Sequence, residues 1–94
     1  MQLFFVSLRT AKVTGPAELT EISEEGSGQA LIFFEAEDLK FIEWEGYAIV
    51  VPEKQLVWGT GRPEKQKSGH YTCRFAYTPQ EIPKEDLKLF KPVD

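Results

Sequence analysis

With 94 residues, the chain sits near the lower end of what folds on one hydrophobic core, so most large apolar side chains must go inside. Apolar residues at 41% and aromatics at 13% exclude a disordered chain, and a single cysteine excludes an internal disulfide. The net charge of −4 argues against general nucleic-acid binding.

Charge is unevenly spread. Between Glu18 and Glu45 the acids Glu18, Glu21, Glu24, Glu25, Glu35, Glu37, Asp38, Glu43 and Glu45 are opposed by Lys40 alone. Between Arg62 and Arg74 the bases Arg62, Lys65, Lys67 and Arg74 meet only Glu64. The chain therefore has an acidic half and a short basic segment. The opening MQLFFVSLRT has no basic stretch before its apolar run, which Ser7 and Arg9 interrupt. That run is too short for a secretory signal or a membrane span. The expectation is one β-rich domain over 1–94, soluble and cytoplasmic, with no membrane contact.

In chain order, Leu3 to Val13 opens as a strand, with Phe4, Val6 and Leu8 on one face and Phe5, Ser7, Arg9 and Ala11 on the other. Gly15-Pro16 is expected to break it. Residues 16–25 carry only Leu19 and Ile22 as large apolar groups, too thin a stripe to hold a helix on a core. A strand leading into the Gly26-Ser27-Gly28 turn is preferred there, and a helix at about 16–24 is the alternative. Ala30 to Phe34 is apolar at every position and is expected to be covered on both sides. Lys40 to Glu45 alternates into a turn at Glu45-Gly46, and Tyr47 to Val51 returns until Pro52 ends it.

Gln55 to Trp58 reads as a short strand, and Gly59 to Gly69 as an exposed loop without apolar residues. His70 to Tyr77 alternates, with Tyr71, Cys73, Phe75 and Tyr77 sharing a face. The segment from Ile82 to Leu87 fits one helical turn, docked by Leu87, Leu89 and Phe90. The fold class is mainly β: a small antiparallel β-barrel or sandwich of five to seven short strands with one C-terminal helical turn. An α+β fold is the alternative.

Candidate chemistry is sparse. His70 and Cys73 are three positions apart on a strand, so their side chains leave opposite faces and cannot act as base and nucleophile together. They also fall short of the four ligands that a structural zinc site takes. Gly59-Thr60-Gly61 lacks the lysine, hydroxyl and following helix of a phosphate loop. No catalytic residue, metal site or cofactor is expected. Two surfaces carry the functional reading. An acidic β face formed by Glu35, Glu37, Glu43 and Glu45, anchored by Trp44, suits a small regulator or inhibitor that docks on a larger protein. A basic and aromatic segment formed by Trp58, Arg62, Lys65, Lys67 and Arg74 suits single-stranded nucleic acid or another anion as a second reading. A small-molecule-binding barrel is a third, without a residue set. A homodimer through an exposed strand edge is compatible with either surface.

Overall fold

The structure, a computed structural model, describes residues 1–36, 39–42 and 44–90. Among them are seven strands: β1 Gln2–Ser7, β2 Val13–Glu25, β3 Gln29–Glu35, β4 Tyr47–Val51, β5 Leu56–Lys65, β6 Tyr71–Ala76 and β7 Gln80–Glu81. Short 3₁₀ turns cover Pro52–Lys54 and Lys84–Leu89. Six strands run antiparallel in the order β4-β1-β2-β3-β6-β5, and pairing of β4 with β5 closes the barrel. β7 is an addition on the first residues of β5.

Closure follows from alternation. On β1, β3, β4 and β6 every second side chain points inward, and these positions are apolar: Leu3 and Phe5, then Ala30, Ile32 and Phe34, then Ile49 and Val51, then Cys73 and Phe75. Each fully buried large aliphatic or aromatic side chain contributes about 1.5–3 kcal/mol. A second, smaller cluster lies outside the barrel, where Ile82, Leu87 and Phe90 of the C-terminal segment cover Phe4, Val50, Val6 and Val57. The rings of Phe4 and Phe90 meet at 5.7 Å. The expected helical turn is thus present, but Leu89 is 59% exposed and takes no part in docking it.

Two long strands bend around the barrel and serve two neighbours each. β2 pairs with β1 through Val13 to Glu18 and with β3 through Glu18 to Glu25. The expected break at Gly15-Pro16 is instead a bulge inside β2, two residues opposite Phe4, where the missing proline donor is tolerated. Residues 16–24 are strand, and the helical alternative does not form. β5 pairs with β4 through Leu56 to Gly61 and with β6 through Gly61 to Lys65. Gly59 to Lys65 is therefore strand where a loop was expected, and only the turn around Gln66 to His70 remains outside it.

The reason lies in the inward positions of β5. Gly61 and Pro63 face in, and a Cβ at Gly61 would stand 2.6 Å from the Arg74 carbonyl oxygen and 2.8 Å from the Cys73 sulfur. No large side chain fits there, so the strand carries no apolar alternation to read.

Residues 31 and 33 correct a further expectation. Leu31 and Phe33 are only half-buried on the outer wall, beside Arg74 and Thr72, so β3 is covered on one side rather than two. A single closed layer has one interior, and among the described residues nothing packs over this stretch of wall.

Candidate functional site

β3 and β4 follow each other in sequence but are not neighbours in the sheet, so the connection between them crosses one end of the barrel. That end is marked by Phe34 near the close of β3 and by Tyr47 and Tyr71 at the starts of β4 and β6. The connection inserts Phe41 into it. The Phe41 ring lies edge-on to Phe5 at 5.0 Å, Phe34 at 6.0 Å, Tyr47 at 5.4 Å and Tyr71 at 5.2 Å. Tyr71 stacks on Phe34 at 5.5 Å and 14°. Offset and edge-on ring pairs of this kind add about 0.5–1.5 kcal/mol each beyond area burial, so the plug is firmly seated.

Glu45 fixes the far end of the connection. It was expected on a solvated acidic face at a tight hairpin turn, but Lys40 to Glu45 pairs with no strand among the described residues, and Glu45 is only 4% exposed. Its carboxylate accepts from Ser7 Oγ at 2.7 Å, Arg9 Nε at 3.0 Å and, more loosely, Tyr47 Oη at 3.4 Å. Donation from Ser7 is the largest cause holding this carboxyl below the usual carboxylate range, with desolvation acting against it and Arg9 and Tyr47 adding to it. The Tyr47 hydroxyl in turn accepts from the Ile42 N–H at 2.9 Å. One internal carboxylate thus ties β1, β4 and the plug together.

Turning Glu45 inward leaves Trp44 outward. Trp44 is 67% exposed, the most exposed of the large apolar side chains described. It stands over a groove of about 600 Å³ whose other walls are Phe41, Tyr71 and the Arg62-Pro63-Glu64-Lys65 stretch of β5. The groove exists because β5 outruns β4: their pairing begins at Tyr47 opposite Gly61, so beyond Gly61 the β4 side of β5 has no strand partner.

The two surfaces read from sequence are thereby redistributed. Trp44 from the acidic set meets Arg62 and Lys65 from the basic set in one groove. Glu35 sits beside it, 3.6 Å from His70 Nδ1, in a neighbouring pocket that Lys65 also lines. Glu37 and Glu43 lie outside the described residues. Trp58 is 4% exposed and stacked parallel to Phe75, so it is core and not a stacking platform. A bulge at Trp58 turns its side chain inward and leaves its carbonyl accepting from the Thr78 N–H at 2.9 Å.

Arg74 is on the outer wall, donating from Nε to Glu25 at 2.9 Å. That bond is the main reason its pKa is raised, and Glu64 adds to it. Lys67 is exposed in the turn between β5 and β6. Phe41 was not expected at a site, and Tyr71 and Pro63, although inside the basic and aromatic segment 58–74, were not among its expected contact residues. The signal for them was Pro63, a residue without a donor in what proves to be a strand, which belongs at an open edge.

Among the described residues, no cluster of three or more His, Cys, Asp and Glu side chains could hold a metal, and no helix is long and apolar enough to cross a membrane. Cys73 is 1% exposed, and burial pushes its thiol up to about 12. A thiol-specific reagent at pH 8 is expected to label Cys73 only after denaturant is added. Rapid labelling of the native protein would contradict this buried position.

No family model, no curated protein and no solved structure matches the chain. What the site can do rests on its own geometry.

Proposed function

We propose that this chain is a non-enzymatic interaction module that binds another protein through the groove under Trp44. Of the acidic set read from sequence, Trp44 lies on this groove and Glu45 is buried behind it. The observation that carries this is Trp44 itself. A 94-residue domain is short of core filling, yet it leaves one of its two tryptophans 67% exposed beside Tyr71 and two cations, and buries a glutamate next to it. Exposed tryptophan, tyrosine and arginine in a concave site are the residue types that dominate interface energetics.

A second reading, single-stranded nucleic acid in the same groove, is favoured by the adjacency of Trp44 and Tyr71 to Arg62 and Lys65. The negative net charge of the chain weighs against it, because a polyanion would be repelled at long range.

One experiment separates them. Wild type and Trp44→Ala, matched by thermal melt, are immobilised and challenged with source lysate with and without nuclease. The module reading expects a partner that survives nuclease and is lost in Trp44→Ala. Equal recovery by both proteins would refute it, and loss on nuclease treatment would move the assignment to nucleic acid. Trp58 is buried, so fluorescence quenching by an oligonucleotide reports on Trp44 alone and provides an independent check. Nucleic-acid binding predicts quenching that fades steeply as salt rises.

A further inference from the structure

We infer that the occupant of the groove is an extended acidic peptide segment that adds to β5 as a short antiparallel strand and seats an apolar or aromatic side chain against Trp44 and Tyr71. The inference rests on the interaction-module reading and specifies the partner's chemistry.

The backbone of β5 sets the geometry. The N–H of Gln66 donates to the carbonyl of His70 at 2.7 Å, closing the turn to β6. Alternation along an antiparallel ladder then makes Glu64 with Thr72, and Arg62 with Arg74, the bonded pairs. The carbonyl of Pro63 and both backbone groups of Lys65 consequently point away from β6, toward the side where β4 has ended. Among the described residues none of these three groups has a hydrogen-bond partner. One ligand residue can exchange two bonds with Lys65, and a second, two positions along, can donate to Pro63. Strand addition of this kind supplies affinity through the main chain and specificity through alternate side chains. The alternation sends one ligand side chain toward the rings of the groove and the next toward the Arg62 side of β5.

Charge selects the sign. Arg62 and Lys65 have no ion-pair partner among the described residues. Glu64, the one acid among the described residues of the groove wall, contributes to the field around Arg74. Among the described residues, a ligand carboxylate therefore meets two cations that have no ion-pair partner. Pro63 adds a constraint, because it offers an acceptor and no donor, so long uninterrupted pairing along this edge is blocked. A short segment is accommodated and open-ended sheet growth is not.

The test uses the full chain and an acetylated, amidated peptide that alternates glutamate with valine around one phenylalanine. Three further probes accompany it: the same peptide with lysine for glutamate, the acidic peptide with alternate backbone amides methylated, and oligothymidine. Binding is read from Trp44 fluorescence and from the amide resonance of Lys65. The expected result is saturable binding of the acidic peptide with a shift of the Lys65 amide, weakened by roughly tenfold or more in the Arg62→Glu, Lys65→Glu variant. Backbone methylation should abolish it. The inference is overturned if the lysine peptide binds equally well, if methylation has no effect, if oligothymidine alone binds, or if no peptide binds. Peptide failure alongside Trp44-dependent capture of a partner protein would discard strand addition and leave the module reading standing. Capture that ignores Trp44→Ala would remove both.

Discussion

Gly59→Ala is expected to destabilise the protein by about 3 kcal/mol or more, because the added methyl has nowhere to go. At Gly59 the backbone of β5 passes so close to β6 that a Cβ would overlap the carbonyl oxygen of Ala76 and stand 3.0 Å from the Phe75 ring. A flexible side chain could yield to such a methyl, whereas a backbone carbonyl cannot move without its strand. The position also adjoins the bulge at Trp58 and lies between the stretches of β5 that pair with β7 and with β6, so a shift there disturbs the stacked Trp58 and Phe75 pair, the interior of the barrel and the docking of β7 together. For a domain of this size the loss corresponds to a fall in Tm of roughly 12–24 °C, or to failure to accumulate folded protein. Gly26→Ala is the matched control, since nothing lies within 4 Å of its would-be Cβ, and its effect should stay within about 0.5 kcal/mol. Thermal melts of the two variants followed by near-ultraviolet circular dichroism decide the matter; equal Tm values would mean that β5 and β6 do not approach as described.

The same close approach explains which parts of the fold were legible in the sequence. Where the barrel interior is filled by side chains, the apolar pattern announces the strand, as an unbroken run in Ala30 to Phe34 and as period-two alternation in Tyr71 to Phe75. The preference for a strand at 16–25 over a helix also holds, because two large apolar residues cannot seat a helix whatever its caps. Where the interior is filled by neighbouring backbone, the inward residues are glycine and proline, and Gly59 to Lys65 reads as a loop although it is strand. Alternation also misleads in the opposite direction at Lys40 to Glu45. There Phe41 faces inward because it plugs the barrel end, not because a strand holds it.

The candidate site was legible only residue by residue. Trp44, Arg62 and Lys65 were each singled out, but they were assigned to two different surfaces, because the crossing of the connection from β3 to β4 is a property of topology that no local window contains. The assignment of Glu45 to the outside failed for a related reason. Ser7, Arg9 and Tyr47, the groups that satisfy it, lie up to 38 positions away in the chain.

Glu45 supplies the second large effect, and its pH dependence has a definite sign. Glu45→Ala leaves the buried Ser7 hydroxyl and the Tyr47 hydroxyl without their acceptor. The remaining roles of Ser7, accepting from the N–H groups of Arg9 and Thr10 at 3.2 and 3.1 Å, then rest on a side chain that has lost its orientation. Unsatisfied buried groups of this kind are expected to lower Tm by roughly 5–15 °C at neutral pH. The folded carboxyl titrates below its ordinary value of 4.5, so its stabilising contribution is fully present above that value and is lost as pH falls through the folded pKa. Glu45→Gln keeps the shape and removes the charge. The Tm gap between wild type and Glu45→Gln should therefore be widest at neutral pH and close on acidification through and below 4.5. A gap that is constant with pH would show that ionisation of the carboxyl contributes nothing to stability, and no gap at all would show that the side chain acts by shape alone. Because the same carboxylate anchors the segment that carries Phe41 and Trp44, the substitution should also weaken the groove before it unfolds the barrel. At pH 7, well below its melting temperature, Glu45→Gln is expected to show greater acrylamide access to Trp44 while the buried Trp58 stays protected. An unchanged quenching constant would mean that the plug holds its position through the aromatic rings around Phe41 and has no need of the glutamate.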